Sequence, residues 1–369
     1  MSGTIGDNTS ESSGSIATVS GVTTSSSDPA VDTNPSGGVG TMFVNSTSGE
    51  MFICTDSTTD ENVWTNVGDG TGDIQPFIYQ GTQSGYTSGS GDPTTSPANT
   101  AIEKHSYTSD GDATDWADLS AHRSYAAGHS SATYGYTSGG EPTYYIEKFP
   151  FASATNSVST GYYLSTGAAA RNTPGTTSDE NYGYTAGGSP ATDVIDRFSY
   201  SADGTATDVG NLLQSQSKGA GASSETHGYH SGGVPYVDTI QKFAFAASAD
   251  ATDVDDLTTT IQSATGHQSS THGYKAGGYT NNGSGYTTGA DSIQKFTFAS
   301  DAAATNVGTT TVGRSKAASG SSTTHGYSSG SGQGAAGNVI EKFTFASDAA
   351  ATDVGDLVIS RGYLCGQQY

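Results

Sequence analysis

The stretch from Thr324 to Leu357 reads THGYSSGSGQGAAGNVIEKFTFASDAAATDVGDL, and recognisable copies of it recur through most of the chain after residue 80. The tyrosine of its Gly-Tyr step marks each copy, at Tyr86, Tyr136, Tyr184, Tyr229, Tyr274 and Tyr327. These tyrosines are 45 to 53 residues apart, a period that indicates a propeller or an array of one repeated unit. We therefore predict that most of the chain folds as one repeat-built body.

Each copy divides into four strand-like segments, which the last copies show best. Strand A is RSKAASGSS at Arg314–Ser322, and strand B is HGYSSG at His325–Gly330. Strand C is VIEKFTFAS at Val339–Ser347, and strand D is ATDVGDL at Ala351–Leu357. Strand C carries apolar residues on both faces, as a blade that lies between two neighbouring blades requires.

The composition narrows the class of fold and of partner. Hydrophobic residues make up 32% of the chain and glycine occurs 51 times, which suits a β-architecture with many turns better than a helical bundle. The net charge is −23 with only 13 basic residues, so nucleic acid and anionic membranes are disfavoured as partners. No segment is apolar for long enough to insert in a membrane, and the N-terminus has no signal-peptide pattern.

The chain changes character twice before the repeats begin. Residues 1–38 are low-complexity Ser, Thr, Gly and Asp, so we expect an extended anchoring tail that becomes ordered against a partner. Residues 39–72 predict a small β-module and linker, with a hairpin around Asn45–Gly49 and a third strand at Val63–Thr65. Residues 73–369 are then the repeat region.

The order of the segments resembles the kelch family of β-propellers. In that family an A/B hairpin ends in a glycine pair and is followed by a C strand and a D strand; the pairs here are Gly139-Gly140, Gly187-Gly188, Gly232-Gly233 and Gly277-Gly278. The usual tryptophan of strand D occurs once, as Trp116. The resemblance covers about 290 residues and implies an all-β propeller, but it does not indicate a ligand.

The short consensus is also similar to repeats in virion proteins of marine and cyanobacterial phages. Residues 39–69 likewise resemble the hairpin-plus-tryptophan units near the N-termini of phage tail-fibre proteins. These resemblances imply a particle-bound setting. We therefore expect the protein in the virion, and outside the cell after lysis.

The two ends of the repeat region match each other. Six sets of strands B, C and D run from Gly85 to Leu357, and the first set lacks a clear strand A. The C-terminal RGYLCGQQY, Arg361–Tyr369, matches strand A in RSYAAGHSS at Arg123–Ser131. We predict a six-bladed kelch-like β-propeller that the C-terminal strand closes, which removes an exposed sheet edge. A seven-bladed ring is the alternative if Phe77–Gln80 contributes a strand.

Polar residues at repeated positions are predicted to be structural. The THGY histidines, His227, His272 and His325, are replaced by tyrosine or serine in other copies, so we expect packing or hydrogen bonding; a ring of them could still hold an ion. The basic residues of strand C include Lys242, Lys295 and Lys342, and three arginines follow strand D at Arg123, Arg314 and Arg361. Because a buried charge must be paired, we expect these cations to contact the repeated acids.

Departures from the repeat are the better candidates for binding, because symmetry does not explain them. They are a tyrosine pair in place of an acidic D strand, Tyr162 and Tyr163, and four residues of the long loop YTNNGSGYTTGADS, namely Tyr279, Asn281, Asn282 and Tyr286. Tyrosine and asparagine on loops form adaptable contact surfaces, and tyrosine could stack on sugar rings. Packing within turns is the other interpretation.

No cofactor is predicted. The Asp-rich turns Ser109–Asp112 and Ser201–Gly204 offer oxygen ligands that Ca²⁺ would take, but neither matches a known calcium loop, so solvated turns are preferred. The chain also lacks the HExxH and P-loop motifs, so it is not expected to be an enzyme.

The sequence therefore predicts a non-enzymatic structural protein of a phage particle, a tail fibre or spike-like appendage. Its partners would be other virion proteins through residues 1–72, a host surface glycan or protein at the propeller, and further copies of itself. Alternatives are a capsid-decorating or head-fibre protein, a carbohydrate-binding or carbohydrate-processing propeller, and a cellular adhesin.

Overall fold

The computed structural model describes residues 22–68, 74, 78–89, 99–141, 145–165, 175–281, 286–287, 290–332 and 337–369. Within these ranges the chain is all-β. None of their segments forms a helix that is long and apolar enough to cross a membrane. The chain divides into two compact units, Met1–Phe77 and Ile78–Tyr369, so the observed division lies five residues after the sequence-based boundary at 72/73.

The first unit is built on one four-stranded sheet. In spatial order its strands are β1 (Val22–Ser25), β2 (Met42–Asn45), β3 (Met51–Asp56) and β4 (Val63–Asn66). β1 runs parallel to β2, and the other pairs are antiparallel. Phe43, Phe52, Cys54 and Trp64 form a small buried core on this sheet.

Part of the segment expected as an extended tail belongs to this sheet. Val22–Ser25 pairs with β2, Asn45 donates a hydrogen bond to the carboxylate of Asp28 (2.8 Å), and Asn62 donates to the carbonyl of Val31 (2.7 Å). Composition does not reveal this, because the partners of the segment are backbone groups of a later strand and two asparagines far along the chain. Residues 1–21 lie outside the described ranges.

The described residues of the second unit form six four-stranded antiparallel sheets, named I to VI here in chain order. In hydrogen-bonding order, sheet I consists of β31 (Cys365–Gln368), β5 (Ser84–Ser88), β6 (Ala101–Ser106) and β7 (Thr114–Asp118). Sheet II consists of β8 (Ala127–Ser130), β9 (Tyr134–Ser138), β10 (Tyr145–Pro150) and β11 (Val158–Tyr163). Sheet III consists of β12 (Gly175–Ser178), β13 (Tyr182–Ala186), β14 (Thr192–Ser199) and β15 (Thr207–Gln216).

Sheets IV to VI repeat the same order. Sheet IV consists of β16 (Ala220–Ser223), β17 (His227–Ser231), β18 (Thr239–Ala244) and β19 (Thr252–Asp256). Sheet V consists of β21 (Thr265–Gln268), β22 (His272–Ala276), β25 (Ser292–Thr297) and β26 (Thr305–Thr309). Sheet VI consists of β27 (Ala318–Ser321), β28 (His325–Ser329), β29 (Val339–Thr344) and β30 (Thr352–Asp356). A small three-stranded sheet consists of β20 (Ile261–Gln262), β23 (Tyr279–Asn281) and β24 (Tyr286–Thr287). This arrangement is propeller-like.

The first strands of the sheets lie against one another in succession. β8 contacts β12, β12 contacts β16, β16 contacts β21, β21 contacts β27, β27 contacts β31, and β31 contacts β8. The C-terminal strand β31 pairs with β5 as the sequence predicts, from Cys365 opposite Ser88 to Gln368 opposite Gly85. Residues 78–80 form no strand, and Phe77 lies outside the described ranges.

The Gly-Tyr step of each repeat explains how successive sheets pack. In sheet V, a Cβ on Gly273 would lie 2.2 Å from the ring of Phe296 on the paired strand, so only glycine lets that ring cover β22. The adjacent Tyr274 points to sheet VI and packs on Phe343 (5.5 Å) and Phe345 (4.8 Å between ring centroids). Each such buried aromatic side chain contributes roughly 1.5–3 kcal/mol. The core therefore lies between sheets.

The same contact joins the last sheet to the first. Tyr327 of sheet VI stacks on Tyr107, which follows β6 of sheet I, with ring centroids 4.5 Å apart. Ala113 of sheet I also belongs to the buried cluster of Tyr327 and Ile340.

Candidate functional site

Five residues with the same place in the repeat have a left-handed backbone. Each lies two positions before the first strand of a sheet, in the connection from the previous sheet: Tyr125 (φ 58°), Lys218 (60°), Ser263 (56°), Lys316 (58°) and Tyr363 (63°). We call them the mouth residues. The equivalent position before β12 is Thr173, which lies outside the described ranges. A left-handed conformation costs a non-glycine residue roughly 1–2 kcal/mol, so its recurrence here requires compensation.

Backbone hydrogen bonds between the mouth residues supply this compensation. The amide of Tyr363 donates to the carbonyl of Lys316 (2.8 Å), Lys316 donates to Ser263 (2.9 Å), and Ser263 donates to Lys218 (2.8 Å). On the other side, the amide of Tyr125 donates to the carbonyl of Tyr363 (3.2 Å). Each such bond contributes about 0.5–1.5 kcal/mol, which is comparable with the strain of one residue.

Four of the mouth residues line a cavity with a volume of about 70 Å³, which we call the mouth cavity. These are Lys218, Ser263, Lys316 and Tyr363. The remaining wall is formed by residues immediately before or near the start of β8, β16, β21, β27 and β31. Those strands approach so closely that a Cβ on Gly128 would lie 2.1 Å from the carbonyl oxygen of Gly366. Small residues therefore set the width of the cavity.

Two lysines bring positive charge to this cavity. The ammonium of Lys316 donates a hydrogen bond to the hydroxyl of Tyr363 (2.8 Å) and lies 4.1 Å from the centre of that ring. The ring of Tyr279 is 5.4 Å from the same ammonium. Within the described ranges, Lys218 has no carboxylate at ion-pair distance. The cavity is therefore cationic in a chain whose net charge is −23.

Three arginines form buried ion pairs close to the mouth residues in the chain. The N···O distances are 3.0 Å for Arg123–Glu147, 2.9 Å for Arg314–Glu341 and 3.1 Å for Arg361–Glu103, and all six side chains are 1% exposed. Pairing of these arginines with repeated acids is confirmed. The acids come from the third strand of the same sheet.

Four lysines of the third strands pair with aspartates of the following sheet. These partly exposed pairs are Lys148–Asp203, Lys242–Asp301, Lys295–Asp348 and Lys342–Asp110. The turns considered for calcium therefore place Asp110 and Asp203 against lysines. Among the residues that the structure describes, Lys104 has no such aspartate, and its ammonium lies 4.1 Å from the centre of the Trp116 ring.

The THGY histidines stay apart, one on each of sheets IV, V and VI. His227, His272 and His325 each share a hydrogen bond of 2.8 Å with the hydroxyl of the preceding threonine. Burial lowers the pKa of each imidazole, and the lysine of the same sheet lowers it further. Across the described ranges, no group of three His, Cys, Asp or Glu side chains is placed to hold a metal ion.

The candidate binding residues fall into two separate places. Tyr162 and Tyr163 lie at the end of β11, the last strand of sheet II, and are 39% and 37% exposed. Tyr279 is buried, and the centre of its ring is 5.4 Å from the ammonium of Lys316. Asn281 pairs with Tyr286 through the backbone of β23 and β24, but both side chains lie outside the described part, as does all of Asn282.

Sequence reasoning missed the mouth residues and two buried bases. Lys275 is fully buried, and its ammonium has no hydrogen-bond partner in the described part. Burial lowers the pKa of Lys275 to about 7, while the negative charge of Asp291 acts to raise it. His230 is 1% exposed, and burial lowers its pKa to about 4. One signal could have found both: the residue after the Gly-Tyr step is Thr or Ser in the other four copies.

The mouth residues also carry a sequence signal. The third residue of strand A varies among Tyr, Thr, Lys, Ser, Lys and Tyr, while small residues follow it. Two of these residues are lysines in a chain with few basic residues. No protein-family model matches the chain, and no curated protein matches it either.

Proposed function

We propose that this chain is a non-enzymatic structural protein of a phage particle whose repeat region is a closed six-bladed propeller that contacts the host or a neighbouring subunit. One observation supports the proposal: residues from the end of the repeat region contact the first sheet. β31 pairs with β5, and Lys342 of sheet VI pairs with Asp110 of sheet I. A closed ring of this kind is a rigid platform on which loops of different length can present a contact surface.

The proposed setting is a tail fibre or spike-like appendage. The resemblance of the repeats to phage virion proteins supports it, and so does the division of the chain into two compact units. In this proposal the first unit and the residues before it attach to other virion proteins, and the protein is present in several copies. It reaches the outside of the cell by lysis.

A second candidate is a carbohydrate-binding propeller. The observation that favours it is the pair Tyr162 and Tyr163, which lie partly exposed at the end of the last strand of sheet II. Aromatic rings in such a position can stack on sugars. Replacement of both tyrosines by alanine should then abolish binding to host cells.

The test compares three proteins: the full chain, a chain without residues 1–77, and the full chain with Tyr162→Ala and Tyr163→Ala. Each is tested for incorporation into particles that lack the protein and for binding to host cells. We expect the full chain to do both and the shortened chain to bind cells only. Incorporation without any cell binding would support a capsid-decorating protein. The absence of both incorporation and cell binding would reject the proposal.

The blade count is tested separately by cryo-electron microscopy of the purified full chain. We expect one ring of six blades in which the C-terminal strand is part of the first blade. A gap between sheets VI and I, or a seventh blade, would reject the closed six-bladed ring.

A further inference from the structure

We propose that the mouth cavity binds a carboxylate or phosphate group, held by Lys218 and Lys316 on either side of Ser263. The proposal rests on the proposed function in that it names the ligand class of the contact surface. Anion binding is nevertheless a property of the purified chain, so it can be measured without cells or particles.

The distribution of basic side chains is the first argument. Seven of them pair with carboxylates, and Lys104 and Arg197 lie over aromatic rings. Lys275 is buried between strands, and Arg171 lies outside the described ranges. Lys218 and Lys316 are thus the described cations that reach a cavity without a carboxylate partner. A cation in that situation favours an anionic ligand.

The backbone conformation is the second argument. Glycine adopts a φ near 60° at the lowest cost, yet Lys218 and Lys316 have φ values of 60° and 58°. The fold therefore does not favour lysine at these positions, and a role of the side chain explains it better. Since the amides of Lys316 and Ser263 donate to backbone carbonyls, an anion there must be held by side-chain ammonium and hydroxyl groups.

The third argument is the shape of the cavity. The hydroxyl of Tyr363 fixes the ammonium of Lys316, and a Cβ on Gly332 would lie 2.9 Å from the Cδ of Lys316, so its stem is packed as well. A cation held in place before binding loses little side-chain entropy. The cavity volume of about 70 Å³ is large enough to accept a terminal oxyanion.

The experiment titrates the full chain with inorganic phosphate and, in a second arm, with glucuronate, using isothermal titration calorimetry. We expect saturable binding of at least one anion, with one site per chain. The double variant Lys218→Met and Lys316→Met should lower the affinity at least about tenfold. The reason is that the free energy of one hydrogen bond to a charged group exceeds the free-energy difference of a tenfold change in affinity. The arm that binds identifies the source as a phosphate or a carboxylate.

Two controls separate the site from net charge and from folding. Lys242→Met with Lys295→Met removes the same charge from the pairs with Asp301 and Asp348 and should leave the affinity unchanged. Lys218→Gly relieves the left-handed strain, so this variant should melt no lower than the wild type and still bind more weakly.

Two outcomes would overturn the proposal. One is the absence of saturable binding of either anion up to about 10 mM, a range in which the binding free energy is small. The other is an equal loss of affinity in the charge-matched control. Anion binding by a chain that attaches to no cell would leave the site intact and reject the proposed host contact instead.

Discussion

Sheets I, II and VI differ from sheets IV and V in how they hold the connection that precedes their first strand. In the first group, a buried arginine of the connection pairs with a buried glutamate of the third strand. In sheet IV the two positions hold Gln216 and Gln241, whose amides are 2.6 Å apart. In sheet V they hold Ile261 and Gln294. The same place in the fold therefore accepts an ion pair, an amide pair or an aliphatic side chain.

A single hydrogen bond is common to both groups. A side-chain oxygen of the third strand accepts from a backbone amide of the segment that precedes the sheet. Glu341 accepts from Thr311 (2.8 Å), Gln294 from Thr258 (2.8 Å), and Gln241 from Leu213 near the end of β15 (2.8 Å). Glutamate and glutamine supply this acceptor equally well. The fold thus requires an oxygen at this position, and the charge is an addition.

The arginines add bonds that sheets IV and V lack within the described residues. Arg314 donates to the carbonyls of Ser328 (3.0 Å) and Gly330 (3.2 Å), which close the end of β28. Ile261 is instead buried with Leu257 and pairs with Thr280 of the small three-stranded sheet. The long loop after β22 therefore replaces the arginine as the support of this connection. Arg314 and Ile261 each lie two positions before a mouth residue.

The largest effect is expected where the ion pair loses one partner. Arg314→Met leaves Glu341 buried and unpaired, so we expect a loss of about 3–5 kcal/mol in the free energy of unfolding, measured by urea denaturation. The matched change in sheet IV, Gln216→Met, leaves only the neutral amide of Gln241 and should cost about 1–3 kcal/mol. Equal losses in the two variants would contradict the distinction between the groups.

Lys275 sharpens the comparison, because this buried amine of sheet V has no carboxylate at hydrogen-bond distance among the described residues. Its folded pKa of about 7 lies below the ordinary 10.5, so between these values the unfolded chain keeps a proton that the folded chain has released. The wild-type stability should therefore rise with pH across this window, by at most about 1.4 kcal/mol per pH unit.

The test of this sign is Lys275→Met. Below pH 7 the variant should be more stable than the wild type by an amount on the order of 2–4 kcal/mol, and the difference should shrink as the pH rises toward 10. Urea denaturation at several pH values measures both curves, and their difference removes the titration of groups that do not interact with Lys275. A difference that does not change with pH would show that the ammonium is not desolvated in the folded state.

A smaller effect is expected when sheet VI is converted to the pattern of sheet V. The double variant Arg314→Ile and Glu341→Gln removes the charge and keeps the acceptor for Thr311, so it should recover most of the stability that Arg314→Met loses. We expect it to lie within about 2 kcal/mol of the wild type, since uncharged replacements of buried ion pairs are often tolerated. A double variant as unstable as the single one would show that the backbone bonds of Arg314 are the essential contribution.

The sequence predicts the repeat, the strand order and the pairing of β31 with β5, because glycine, tyrosine and alternating apolar residues are local signals. It does not predict that Lys218 and Lys316 meet at one cavity, since they lie 98 residues apart and only the succession of sheets brings them together. The choice of Glu147, and not a strand D acid, as the partner of Arg123 also depends on three-dimensional register. The sequence places Tyr279 in a long contact loop, whereas in the structure its strand pairs with Ile261–Gln262 and its side chain is buried.

The smallest effect is expected for the ion pairs between sheets, even for the one that links the last sheet to the first. The side chains of Lys342 and Asp110 are 22% and 56% exposed, so water and salt screen their attraction. Lys342→Met should therefore change the free energy of unfolding by less than about 1 kcal/mol, and the change should disappear in 1 M salt, where the screening length is about 3 Å. Lys242→Met, which breaks the equivalent pair with Asp301 between sheets IV and V, is the matched control. If Lys342→Met alone were strongly destabilising, the contact between sheets VI and I would depend on this charge and not on the stacking of Tyr327 against Tyr107.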